Sequence, residues 1–343
     1  MKPVFKIIMA GINITSKIAD RLISLTVNDA AGVKSDTVRI VLDDRDNRLI
    51  EPPDGASIAV FLGYEGYGPI PMGVFILDKV EYDIAPDRMI IHGKAADFGG
   101  SLKDQKTRNW DDKTIEEIVT TIAGEHGLEA KVAERFKGIK FEYLAQKAES
   151  DINFLSRIGK DHDAIVAIKE MPAPSTNSQA VGQTKGRSLL FIGKGEGKSS
   201  SGRILPQTWI FKNQLLPGSR ASKSKATIYR SVKAIWHNKD KGEKEAITVG
   251  EGSPVYEITH PHQSKDAAKN AAKAKLDEQA RLGHSMSLNL LGDPILRAEG
   301  QLTAIGLRPS IPPTWSIKSV AHRLTSGGYT THIECELPKL ETG

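Results

Sequence analysis

Glycine, lysine and serine crowd together at residues 191–202, FIGKGEGKSSSG, directly after the apolar run SLLFI. A loop of that composition could cradle the phosphates of a nucleotide, with backbone N–H groups around the anion and a lysine neutralising it. The spacing does not fit. Gly197, Lys198 and Ser199 supply the end of the motif, but Ile192 stands where its first glycine must be, and Gly193 is one residue too close. The context fails too, because a phosphate loop opens a helix. After Ser199 come two more serines, Gly202, Arg203 and Pro206, with no 3.6-residue apolar period. The segment reads as a strand ending in a glycine-serine turn.

Other residues with chemical potential are scattered. His260 and His262, in THPHQ, form the one close histidine pair, and no Cys/His/Asp cluster near them has metal-ligand spacing; they read as a loop. HIECE lacks the second histidine that a metalloprotease helix needs, and no Gly-x-Ser-x-Gly elbow occurs. DDRDN begins like a calcium loop but continues with Arg48 and Leu49. Asp161, His162 and Asp163 read as a charged turn at a helix end, and Glu149 and Asp151 suit the dipole at a helix start. No pair of carboxylates is marked as a glycosidase pair. Catalytic, cofactor-binding and metal-ligating residues are therefore set at none. No cofactor and no small-molecule substrate are expected, and the chain reads as a non-enzyme.

The bulk properties agree with a structural part. The 343 residues are 39% hydrophobic and 6% aromatic, enough for several small cores rather than one large one. The formal charge of +5 is mild for this length. Its most basic zone, residues 218–244, holds Arg220, Lys223, Lys225, Arg230, Lys233, Lys239, Lys241 and Lys244, and reads as a solvated strand face and loop rather than a nucleic-acid site. One cysteine, Cys335, excludes an internal disulfide and suits a reducing compartment. No run approaches the ~18 apolar residues of a membrane span, and the apolar start is too short for a signal peptide.

The elements that must carry these residues are mainly β. Ile23, Leu25 and Val27 alternate, as do Val38, Ile40 and Leu42, then Ile58, Val60, Leu62 and Tyr64, then Val80, Tyr82 and Ile84. Turn clusters separate them, so residues 1–100 predict a small antiparallel barrel or sandwich. A helix follows with a capping box, Thr114 and Glu117, the stripe Ile115, Ile118, Val119 and Ile122, and a glycine stop at Gly127. A second helix starts at Ser150 and carries Ile152, Leu155 and Ile158 on one side. Two strands, AIVAIKE and SLLFI, flank a polar segment, 171–187, that reads as a long hairpin loop. From 203 onward the β pattern returns, interrupted by a helix at 264–282 between Ser264 and Gly283, with a narrow stripe of Ala268, Ala272 and Leu276. Tyr329, Thr331, Ile333, Cys335 and Leu337 share one face of the last strand, after the Ser326-Gly327-Gly328 turn.

The ordered set Glu149-Ser150-Asp151, Phe154-Leu155, Arg157, Ala164 and Leu190-Phe191 resembles the late control protein D family, the baseplate hub of contractile phage tails. The segment TIEEIVTTIAGEHGL, the segment GDPILRAEGQLTAIGLRP, and the closing hairpin with Trp315, His322, Gly328, Tyr329 and Thr331 resemble the same family in the same order. The hub is in turn similar to the N-terminal part of type VI secretion spike proteins. The resemblance implies an α+β, mainly β fold with helical insertions: a first tube-like β-barrel at 1–100, a helical connector with a β-hairpin at 101–202, and a second tube-like barrel at 203–343. It implies a homotrimer that joins a hexameric tail tube, or its initiator protein, to a trimeric tail spike by symmetry matching, among other baseplate proteins. The location implied is the virion tail baseplate, assembled in the bacterial host cytoplasm. The rival readings are a tail-associated cell-wall hydrolase and a basic nucleic-acid-binding protein.

Overall fold

The alternating N-terminal residues form strands β1 (Pro3–Met9), β2 (Ile12–Asn13), β3 (Leu22–Ala30), β4 (Thr37–Asp43), β5 (Ser57–Tyr64), β6 (Gly68–Ile84) and β7 (Asp87–Ala95), with one helical turn, α1 (Thr15–Ile18), before β3. The computed structural model describes residues 1–32, 36–95, 101–172, 184–195, 207–224, 229–238 and 241–338. The strands run β3-β4-β7-β6-β5-β1 across an antiparallel sheet. Its inner face buries Ile7, Leu25, Val27, Ile40, Ile58, Leu62 and Phe75 in one cluster. Ile23 departs from the expected face. The β3–β4 register slips between Leu22 and Ser24, so the bulge takes Ile23 out of the alternation and Leu22 packs against the core instead. Tyr82 and Ile84 keep strand geometry but are not buried, because β6 is 17 residues long and its end overhangs the core; Ile84 is 86% exposed.

The middle segment holds β8 (Gln105–Thr114), α2 (Ile115–Glu125), β9 (Glu129–Val132), α3 (Glu134–Lys137), β10 (Lys140–Ser150), α4 (Asp151–Asp161), β11 (Ala164–Pro172) and β12 (Thr184–Gly193). Thr114 and Glu117 close the expected capping box on α2. At its other end Gly127 takes φ +64°, and the N–H groups of Gly127 and Leu128 return to the carbonyls of Gly124 and Ala123, a Schellman stop. Ser150 caps α4, accepting from the Asn153 N–H. The apolar stripes of α2 and α4 meet Trp110, Phe136, Leu189 and Phe191 in a second core. The hairpin ladder extends further into 171–187 than the sequence suggested: Pro172 still pairs with Thr184. Residues 173–183, the rest of that expected loop, lie outside the described residues, as do residues 196–202 of the glycine-serine turn.

The last segment holds β13 (Gln207–Phe211), β14 (Arg220–Lys223), β15 (Ser231–Asn238), β16 (Glu243–Gly250), β17 (Val255–His262), α5 (Lys265–Leu282), β18 (His284–Leu291), β19 (Gln301–Ile305), β20 (Thr314–Thr325) and β21 (Gly328–Glu336). It carries two cores. Strands β16-β15-β17 form their own sheet, on which α5 lays Ala268 and Ala272 against Val232 and Ala234. The larger core gathers Met286, Leu288, Leu302, Trp315, Ile317, Val320 and Ile333.

The N- and C-terminal β regions share one sheet. β20 pairs β3 over seven residue pairs, Ser319↔Ala30 to Thr325↔Ser24, which joins both regions into a 13-stranded sheet. β20 changes partner along its length: Gln301–Thr303 of β19 bond its start, and β3 takes over after the register shift at Ile317/Ser319 between β20 and β21. Such shifts bend a strand and let one sheet wrap two cores. The sheet path is open, ending at β2 and at β14 among the described residues.

Candidate functional site

The Glu149-Ser150-Asp151 segment does three separate jobs at the β10–α4 junction. Glu149 reaches forward to Arg157 at 2.9 Å, Ser150 caps the helix, and Asp151 turns into the protein and is fully buried. The Asp151 carboxylate accepts from Lys106 at 2.6 Å, Arg108 at 2.7 Å, Gln146 at 2.8 Å and the His126 ring at 2.8 Å. Burial alone pushes this carboxyl up, but the bonds from Gln146, Lys106 and His126 and the Arg108 charge outweigh it and hold the group at about 2. Glu125 adds a second acid to the same two cations, and the Arg108 guanidinium lies 4.4 Å from the Trp110 ring. Sequence reasoning placed Asp151 at the helix dipole and missed its four partners. The alternation of Lys106, Arg108 and Trp110 along one face of β8 was the available signal. The arrangement fastens β8, β10, α2 and α4 together. Each of these polar groups has a neighbour as its partner.

The Asp161-His162-Asp163 segment is a turn at the end of α4, as expected, but it is not simply solvated: Asp163 is buried, and Asp161 and His162 are half-buried. Asp163 forms a two-pronged ion pair with Arg281 near the end of α5, one contact 2.9 Å and the other shorter, with both side chains almost wholly enclosed. Its backbone carbonyl receives the Lys194 N–H at 3.0 Å and the Arg135 guanidinium at 3.2 Å. Asp161 comes beside His260 and His262, and one ligand-type atom of each lies within 4.8 Å of the others. His-Pro-His is not a loop: both histidines belong to β17. Burial pushes Asp161 up and the His262 ring down to about 4, with His260 adding to the second effect. Burial, then Arg135, does the same to His162.

Asp161, Asp163, His260 and Arg281 line a cleft of about 640 Å³ where the segments meet. Gly32 comes from the first β region, Asp163 and Lys194 from the middle segment, His260 and Arg281 from the α5 unit, and Lys318 from β20. Lys194 crosses it to Glu336 at 3.5 Å, and Glu299 accepts from the Gly32 N–H at 3.3 Å.

The closing hairpin has its own polar core. His322 is fully buried; its Nε2 donates to the Leu296 carbonyl at 3.2 Å, so Nδ1 is the acceptor for the Tyr329 hydroxyl at 2.8 Å and Thr331 at 3.3 Å. Burial pushes the His322 ring down to about 4. Gly292 lies under Tyr329, where an added Cβ would sit 2.1 Å from ring carbons. Trp315 donates to the Pro312 carbonyl at 2.6 Å. Leu324 and Tyr329 reach into the N-terminal core while Ile317, Val320 and Ile333 fill the C-terminal one. The hairpin residues singled out in the sequence therefore serve the seam between the two β regions. In the basic zone, Lys233 pairs with Glu257 and Lys241 with Glu245, each at 2.8 Å, while Lys225 and Lys239 lie outside the described residues.

The same fold is found in solved phage tail proteins. The 43 kDa tail protein of prophage MuSo2 from Shewanella oneidensis superposes with a TM-score of 0.70, at 12% identity, over 98% of this chain and 99% of that one. A component of the type VI secretion system of E. coli, c3393, described as structurally similar to the T4 bacteriophage tail proteins gp27 and gp5, superposes with a TM-score of 0.54 at 10% identity, over 94% of this chain and 74% of that one. The "Probable baseplate hub protein" of Escherichia phage 186 is 31% identical across 98% of this chain and 93% of its own length. The family model for phage tail baseplate hub (GPD) matches residues 83–328, and the chain belongs to that family.

Proposed function

We propose that this baseplate hub works as a homotrimer in a contractile tail, joining a sixfold tail tube to a threefold spike without catalysing a reaction. Each copy supplies two β regions, at 1–100 and 203–343, linked by the 101–202 connector; three copies then present six wall segments, each β region curling toward a tube. The observation that carries this reading is the β3–β20 ladder, which makes the two β regions of one chain a single continuous wall. A wall that must transmit load during contraction benefits from backbone pairing, because several hydrogen bonds must break together before its halves part. Exposed apolar residues on sheet edges, such as Trp209 on β13 at 58% exposure, suit burial against neighbouring copies or tube subunits. An obligate interface of this kind commonly buries more than ~2,000 Å². Assembly follows in the host cytoplasm before the virion is complete.

Light scattering of the purified protein with its spike tests the reading. A trimer, and a ring of threefold or apparent sixfold symmetry in negative stain, is the expected result. A monomer that persists with spike present at assembly concentrations sinks it, and release of peptidoglycan fragments by the pure protein would replace it with a hydrolase.

A further inference from the structure

The geometry points to a divalent transition-metal site formed by Asp161, His260 and His262, whose ion pins the end of α4 to β17. Four observations converge on it. The three side chains come from segments about a hundred residues apart in the chain, and their ligand atoms lie within 4.8 Å of one another. That is looser than the edge of a closed tetrahedral zinc site, about 3.4 Å from ~2.05 Å bonds, and His260, exposed on the surface, has room to close the difference.

The backbone prepares the pair. β17 runs in register with β15 through Ala234↔Ile258, then resumes at Ile235↔Pro261, so Thr259 and His260 are extra residues. A bulge of this kind re-aims side chains. It leaves the two imidazoles with centroids 4.7 Å apart, with Pro261 stiffening the chain between them. His262 Nε2 is buried with no hydrogen-bond partner. Such an atom is costly unless satisfied, and ligation to a metal satisfies it. Asp161 is the last residue of α4, where the carbonyl end of the helix dipole favours a cation.

Two imidazoles and one carboxylate select a borderline ion such as zinc, cobalt or nickel over calcium or magnesium, which prefer oxygen. Among the described residues the other three-residue cluster, Glu125, His126 and Asp151, carries no such case, because Lys106 and Arg108 already neutralise its acids. The role suits the place. α5 presents mostly alanine to its sheet, so the unit around β17 has the smallest core among the described residues and little apolar area to hold it. A metal bridge to α4 adds a tie beside Asp163–Arg281.

Calorimetric titration of the untagged, chelator-treated protein with zinc chloride tests the site, independently of whether the hub trimerises. One zinc per chain is expected, together with a raised melting temperature. His260→Ala, at an exposed position that leaves the fold intact by circular dichroism, should weaken binding by about tenfold or more, and His262→Ala likewise. Cobalt substitution gives a second measure without any mutation: intense visible d–d bands are expected from a low-coordinate site of mixed nitrogen and oxygen. No zinc uptake, only the weak spectrum of hydrated cobalt, or equal affinity in the wild type and His260→Ala would each overturn the proposal.

Discussion

At the residue scale the family-marking residues are fasteners, and their energetics are testable one at a time. Asp151 is the shared acceptor of Lys106, Arg108, Gln146 and His126. Asp151→Asn removes the buried charge that Lys106 and Arg108 share and leaves them only Glu125, and should cost about 2–3 kcal/mol in chemical denaturation, because charge-assisted bonds to a buried carboxylate are lost. Gly292→Ala drives a methyl into a Tyr329 ring that its bond to His322 holds in place. A loss of ~2 kcal/mol or more is expected, and an unchanged melting temperature would show that the ring yields freely. His322 sets a pH dependence. Its ring stays neutral in the folded state down to about 4 because it is buried, while the unfolded chain takes up the proton near 6.5. Its contribution to stability is therefore complete above pH ~6.5 and falls by roughly 1.4 kcal/mol per pH unit as the pH drops toward 4, and His162 and His262, also held down to about 4 by burial, add to the loss in the same window. Denaturation midpoints across that window check it. The same physics makes these residues hard to interpret in sequence: a histidine or aspartate looks alike whether it faces water or four donors.

At the element scale the sequence speaks more plainly. The α2 cap, its glycine stop and the Ser150 and Ser264 caps all stand where the sequence places them, because each depends on residues within one helical turn. Thr114→Ala should cost about 1 kcal/mol, measured as a lowered denaturation midpoint. The alanine stripe of α5 lies flat on β15 as its small side chains permit. Ala272→Leu should therefore push the helix off its sheet and destabilise by about 1–3 kcal/mol, whereas the same change at exposed Lys269 should be neutral. Strand alternation predicted strands correctly but faces imperfectly. Ile23 falls at a bulge and Ile84 on an overhang, and neither feature leaves a trace in the local pattern.

At the scale of the whole molecule, joining the β regions through β3 and β20 has a mechanical consequence. The N-terminal core includes Leu324 and Tyr329 from the last hairpin, so it is incomplete without the C-terminal strands. The two β regions should unfold in one transition, and amides of β3 and of β20 beyond Ser319 should exchange with solvent together. Separate calorimetric transitions, or early exchange of β3 alone, would contradict a single wall.

The sequence by itself determined the mainly β class, the helix boundaries and the ordered marks of the hub family, because these rest on side-chain type, short spacing and order along the chain. Tertiary structure alone decided that β20 finds β3 nearly 300 residues away, that Asp163 meets Arg281, and that Asp161 arrives beside His260 and His262. Many registers satisfy an alternating strand equally well. The choice among them is made by packing across the whole molecule, where each contact depends on all the others already in place.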